Sequence, residues 1–142
     1  MYLVDTNVIS EARKQRRANP GALAFFRQAA QQREAIYLSA VTIGELRRGV
    51  EIIRHRGDTP HALLLETWLA EVADEFSDNI LVLDADAAQV WGKLRVPDPK
   101  HELDKQIAAI ALVNQLTVVT RNTTDFSGTG VPVLNPFSDR PP

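Results

Sequence analysis

The sequence predicts an α/β fold built on a mostly parallel sheet of about five strands. Short apolar runs alternate with longer helical patterns from one end of the chain to the other. Three of those runs are apolar throughout rather than alternating, as strands buried on both faces are. The 142 residues, 44% hydrophobic and 24% charged, suffice for one domain with its own core.

Taken in order, Tyr2 to Val4 is the first strand, ending on Asp5 within MYLVDTNVIS. A short helix follows, then a basic cluster of Arg13, Lys14, Arg16 and Arg17. Pro20 to Gln32 carries Leu23, Phe26 and Ala30 at helical spacing, and Ile36 to Leu38 is the second strand. Thr42 to Arg54 has Ile43, Leu46, Val50 and Ile53 on one face and the second basic cluster, Arg47, Arg48, Arg54 and Arg56, in and beside it. The pattern Leu65, Trp68, Leu69 and Val72 makes His61 to Phe76 amphipathic. Ile80 to Leu83 is the third strand, after which Asp84 or Asp86 caps a helix through Trp91 and Leu94. Pro97 and Pro99 break the chain before a helix from about Leu103 to Asn114. Leu116 to Val119 and Val131 to Leu134 complete the strands. Without repeat, low-complexity tract or linker, residues 1–137 read as one domain and 138–142 as a frayed tail.

Several function classes fall away. The chain has no cysteine, which removes disulfide frameworks and thiolate metal sites and is compatible with a reducing cytoplasm. No leader-like segment or membrane-length apolar run is present. A net charge of −2 does not advertise nucleic-acid binding, and each basic cluster by itself is most simply a solvated helix face.

Open parallel sheets bind ligands beyond the carboxyl ends of their strands, where right-handed crossovers gather the loops. Asp5 ends the first strand, Glu45 follows the second in SAVTIGELRRG, Asp104 begins the last helix in LDKQIAAIAL, and Asn122 and Asp125 follow the fourth strand in VVTRNTTDF. Each acid also has a structural explanation. Asp5 would cap the next helix, and Thr42 and Glu45 have capping-box spacing. Asp104 would complement a helix dipole, and Asp125 would close an Asx-turn. Together they point further. Four carboxylates at one sheet edge repel one another unless a divalent cation joins them, and an all-oxygen set suits Mg²⁺ or Mn²⁺. Asp104, Ala108 and Ala111 share a helical face, whose small residues let Asp104 approach Asp5.

The ordered motifs LVDTNVIS, ELRRG, D-x-x-I-A-A-x-A and TRN-x-x-DF, with AAQVWGKL ahead of the third acid, resemble the PIN-domain ribonucleases. The likeness is greatest to VapC-type toxins of toxin–antitoxin pairs, including the FitB-like subgroup, and runs from Met1 to about Phe137. It implies a three-layer α/β/α sandwich and a metal-dependent endoribonuclease using Mg²⁺ or Mn²⁺. Its four acids map onto Asp5, Glu45, Asp104 and Asp125, with Asn122 a near-equivalent of the last. Asp5 and Asp104 would hold the ion directly, with Thr6, Asn7, Thr120 and Asn122 supporting them by hydrogen bonds. Activated water would leave 5′-phosphate and 3′-hydroxyl ends. Arg13, Arg47, Arg48 and Arg121 are candidates for the RNA phosphates. The resemblance further implies a cytoplasmic homodimer and a cognate antitoxin that assembles with it into a hetero-oligomer. Exposed apolar residues of the helices from Pro20 and from His61 are the candidate contacts, although Phe25, Phe26 and Trp68 fit the chain's own core equally well. The loop VPDPKHELD departs from the family pattern, with bulky Leu103 where a small residue is common.

Rivals are weaker. A phosphatase of the haloacid-dehalogenase kind wants D-x-D, where Asn7 stands here, and the acidic pair and late lysine of a receiver domain are missing. A non-catalytic RNA- or protein-binding module of the same fold would not need all four acids. His55, His61 and His101 have no G-x-S-x-G elbow to serve and no H-x-x-x-H pairing, so each reads as filler.

Overall fold

The computed structural model describes residues 1–138. In chain order the elements are β1 (Tyr2–Val4), α1 (Thr6–Ala12), α2 (Pro20–Gln31), β2 (Ile36–Ser39), α3 (Ala40–His55), α4 (Thr59–Glu75), β3 (Ile80–Leu81), α5 (Ala85–Leu94), α6 (Glu102–Val113), β4 (Thr117–Val119) and β5 (Val133–Leu134). Short 3₁₀ turns at Gln15–Arg17, Ser77–Asn79 and Thr123–Phe126 join them. The strands form one parallel sheet in the order β3-β2-β1-β4-β5.

Side-chain alternation on the inner strands builds two cores. Val4, Leu38 and Val119 face one side, against Val8 and Ile9 of α1, Phe25 of α2, Leu46 and Val50 of α3, and Leu69 and Val72 of α4. Leu3 and Val118 face the other, against Ala87 of α5 and Ile107, Ala108, Ile110 and Ala111 of α6. That is the three-layer sandwich. Each fully buried Leu or Val contributes about 1.5–3 kcal/mol, so central strands this short are fixed by packing more than by their hydrogen bonds.

The third run differs from expectation. Only Ile80–Leu81 pairs, at the sheet edge beside β2, and Val82 is exposed. An apolar run reads the same at an edge as in the middle, and here Asp84 pulls the chain into α5 by accepting from the Ala87 amide at 2.9 Å. Asp86 lies inside that helix and does not cap it. α4 starts earlier than its apolar pattern because Asp58 caps it, accepting from the His61 amide at 3.2 Å.

Ser138, placed in the tail by sequence, is held against the start of α2. Its amide donates to Asn19 Oδ1 at 2.9 Å, and its carbonyl accepts from Asn19 Nδ2 at 2.8 Å. A Cβ on Gly21 would lie 2.2 Å from the Pro136 carbonyl oxygen, so glycine is what lets the segment dock there. The remaining tail residues, 139–142, lie outside the described residues.

Candidate functional site

The parallel register sets the first acid. Val4 pairs with Val119, so Asp5 and Thr120 leave the carboxyl edge side by side. The Asp5 amide still donates to the Val119 carbonyl at 2.9 Å, so its backbone belongs to the sheet. Asp5 also caps α1: Oδ1 accepts from the Thr6 amide at 2.8 Å. Oδ2 accepts from Thr120 Oγ1 at 2.8 Å and Asn7 Nδ2 at 3.2 Å. Asn7 Oδ1 in turn accepts from the Arg121 amide at 3.0 Å, and Thr120 Oγ1 from the Asn122 amide at 3.0 Å. The cap and the carboxylate site are therefore one arrangement, with Thr6, Asn7 and Thr120 bonded directly to Asp5 and Asn122 acting through its backbone. At 4% exposure, burial pushes the Asp5 carboxyl above its usual range against those hydrogen bonds, and the Asp125 charge adds to the rise.

The capping-box reading of Glu45 does not hold. Ser39 caps α3, accepting from the Thr42 amide at 3.0 Å, which leaves Glu45 beyond the first turn with no backbone to satisfy. A run of hydroxyls ends on it instead. Ser39 Oγ is 3.2 Å from Thr42 Oγ1, which is 3.2 Å from Thr6 Oγ1, and Thr6 donates to Glu45 Oε1 at 3.1 Å. Burial raises the Glu45 carboxyl, the Thr6 bond opposes, and the Asp5 charge adds.

Asp104 lies in the first turn of α6. Ala108 and Ala111 are fully buried beneath it against Leu3 and Val118, as the small-residue face requires. Its carboxyl is pushed up to about 6, first by burial and then by the charges of Asp5, Asp125 and Glu45, with His101 opposing. The charges of Asp5, Asp125 and Glu45 thus all bear on Asp104. Asp125 sits in the 3₁₀ turn after β4, its amide donating to the Asn122 carbonyl at 3.1 Å, and its side chain makes no Asx bond. Leu103 is 47% exposed, so its bulk faces away from the packing.

One residue of this site was not legible in the sequence. His101, read there as filler, precedes α6 and places Nδ1 3.8 Å from Asp104 Oδ2 and 3.9 Å from Asp125 Oδ1. One ligand atom from each of the three lies within 4.8 Å of the others. The only signal was its position three residues ahead of an acid at a helix start, one turn away.

The basic candidates separate. Arg13 stands 5.9 Å from the Trp68 ring and lines a groove with Thr6, Glu45, Leu65 and Trp68, beside the acids. Arg121 lies 4.9 Å from the Phe137 ring. Arg47 is ion-paired with Glu66 at 2.6 Å and Glu51 at 3.5 Å, which compensates the charge it was expected to offer RNA. Arg48 lines a separate depression with His55 and Arg56. Phe25 is buried, Phe26 and Trp68 pack on the core, and Leu63 and Leu64 of α4 are exposed.

Among the described residues, no lysine or arginine is paired with any of the four acids. Hard oxygen donors with unbalanced negative charge fit a divalent cation.

Comparison with known proteins gives the family and the fold. The family model described as PIN domain matches residues 2–130. The chain is 35% identical to the plasmid stability protein StbB of Pseudomonas syringae pv. tomato, covering 96% of this chain and 99% of that one. It is 33% identical to the toxin FitB of Neisseria gonorrhoeae, over 98% and 100%. It is 30% identical to the VapC ribonuclease Y4jK of Sinorhizobium fredii, over 96% and 98%. The crystal structure of FitAcB from Neisseria gonorrhoeae superposes with a TM-score of 0.82 at 33% identity, over 96% of this chain and 98% of that one.

Proposed function

The chain belongs to the PIN-domain family, and on that premise we propose that it is the metal-dependent endoribonuclease toxin of a type II toxin–antitoxin pair. The observation that carries the proposal is the placement of Asp5, Glu45, Asp104 and Asp125 directly after β1, in the helix after β2, at the start of α6 and in the turn after β4, where each raised carboxyl is raised in part by another of the four. The names of the relatives, a ribonuclease and a toxin among them, support the same reading.

In this reading Asp5 and Asp104 hold Mg²⁺ or Mn²⁺ directly, while Glu45 and Asp125 complete the site. A divalent cation supplies charge stabilisation at the phosphodiester and activates water for attack. The chain's own part is positional. Thr6, Thr120 and Asn7 donate to Asp5 and fix the orientation of its carboxylate. Thr6 turns Glu45 the same way. Asp104 and Asp125 close the opposite rim. RNA phosphates flank the cut along Arg13, which lines a groove with Glu45, and along Arg121, which follows Thr120 in sequence.

A cognate antitoxin covers the same region, using the groove of Arg13, Leu65 and Trp68 and the exposed Leu63 and Leu64, and the toxin works as a cytoplasmic homodimer. One domain, residues 1–137, carries the activity.

Labelled RNA incubated with the full chain tests the proposal. Cleavage requiring Mg²⁺ or Mn²⁺, abolished by chelator and by Asp5→Asn or Asp104→Asn, with 5′-phosphate and 3′-hydroxyl ends, is the expected result. A 2′,3′-cyclic phosphate end, or variants that cut as well as wild type, would overturn it. Binding without cleavage at any cation concentration would favour the non-catalytic module.

A further inference from the structure

His101 carries an inference that goes beyond the four acids, resting on the reading that a cation binds among them. Its imidazole is not hydrogen-bonded to either neighbour: 3.8 Å to Asp104 and 3.9 Å to Asp125 are both too long. Nδ1 stands almost equally far from two carboxylate oxygens, and one ligand atom from each of the three residues lies within 4.8 Å of the others. Donors about 2.1–2.3 Å from a shared ion lie roughly 3 Å apart when adjacent and roughly 4.5 Å apart when opposite. The two His101 distances, 3.8 and 3.9 Å, lie between those limits.

The ring is held there by a fixed backbone. His101 has φ of +56°, in the left-handed region, at the N-terminal boundary of α6, and its side chain makes no capping bond. The loop around it is pinned on three sides. The His101 carbonyl accepts from the Lys105 amide at 2.9 Å, the buried Lys105 ammonium donates to the Asp98 carbonyl, and Trp91 Nε1 donates to the Glu102 carbonyl at 3.2 Å. A histidine that served only as filler would not need an uncommon backbone conformation locked from outside.

We propose that His101 Nδ1 is a nitrogen donor to the cation that Asp5 and Asp104 hold, on the side that Asp125 completes, making this a mixed nitrogen–oxygen site. Imidazole favours Mn²⁺ and the later first-row divalent ions over Mg²⁺, which prefers oxygen and water. His101 is therefore the residue that sets which cation the site selects.

The test uses Mn²⁺ as its own probe, bound to the full chain, read by electron spin-echo detection of ¹⁴N coupling and by the ratio of Mn²⁺ to Mg²⁺ affinity. Wild type and the double control His55→Gln, His61→Gln are expected to show ¹⁴N coupling. His101→Asn, whose side chain tolerates the left-handed backbone, is expected to lose it and to lower the Mn²⁺/Mg²⁺ ratio about tenfold, with His101→Gln as a second variant. Bound Mn²⁺ without ¹⁴N coupling in wild type, or coupling that persists in both His101 variants, overturns this inference alone. Wild type that binds no Mn²⁺ overturns it together with the nuclease reading.

Discussion

Asp5 and Glu45 are already hydrogen-bonded, whereas Asp104 and Asp125 have no hydrogen-bond donor to their side chains among the described residues. The first pair stands on the sheet edge and the helix that follows β2, laced by Thr6, Asn7 and Thr120. The second stands on a helix start and a 3₁₀ turn, with only the His101 ring opposite. Neutral donors hold a carboxylate in place whether or not a counter-charge is present. A carboxylate without them depends on a counter-charge to be comfortable beside its neighbours. One pair is thus oriented in advance by the fold, and the other keeps charge that the proposed cation would neutralise.

Removing one acid from each half is the strongest way to break that contrast. Asp5→Asn and Asp104→Asn should each lower RNA cleavage by at least about 10²–10³-fold, the scale of losing one charge-stabilising group from a reacting site. Melting of the metal-free protein should then tell them apart. Asp104→Asn removes repulsion and should raise Tm, whereas Asp5→Asn disturbs the bonds from Thr120 and Asn7 and should not.

A smaller effect probes the support of the built half. Thr120 is fully buried and ties Asp5 to Asn7 and Asn122. Thr120→Val should weaken Mn²⁺ binding about 10–100-fold, as loss of a group orienting a ligand does. Titration calorimetry checks it, and unchanged affinity would mean the lacing is incidental.

The uncompensated half should show itself in pH dependence. The Asp104 carboxyl is raised from 3.8 to about 6, so the folded metal-free protein binds a proton there that the unfolded chain has released. Its stabilising share is complete below about pH 3.8 and is lost as pH rises through about 6. Asp5 and Glu45 shift in the same direction. Denaturant melts of the chelated protein should therefore lose about 1–2 kcal/mol across that window, after allowance for solvent screening. Saturating Mn²⁺ or Asp104→Asn should flatten the slope.

The basic rim should give the smallest effect. Arg13→Ala should weaken RNA binding a few-fold and reduce the salt slope by about one, because its charge lies in a groove with Glu45 and has no carboxylate ion pair among the described residues. Arg47→Ala should leave that slope unchanged, since Glu66 and Glu51 already claim the guanidinium. Equal slopes for the two variants would undo the distinction between them.

Much of this was legible in the sequence. β1 and α2 fall within one residue of their expected limits, because an apolar run ending at an acid and a proline after an asparagine are local signals. The family motifs marked the four acids before any coordinates. Where the reading failed, two local explanations competed with no local means of choosing. T-x-x-E is a capping box only if threonine is the cap, and Ser39 had already taken that place. Ile80 to Leu83 reads as a buried strand only if a neighbour lies on both sides, and β3 has one.

By itself the sequence determined the α/β order and the family, and it named the acids proposed for the site, since periodicity, capping and donor identity are written along the chain. Only the tertiary structure decided that Glu45 hangs from Thr6, that Arg47 is engaged by α4, and that His101 faces Asp104 and Asp125. These are meetings across a packed core or between separate loops, and their distances depend on how the layers close rather than on any spacing within the sequence.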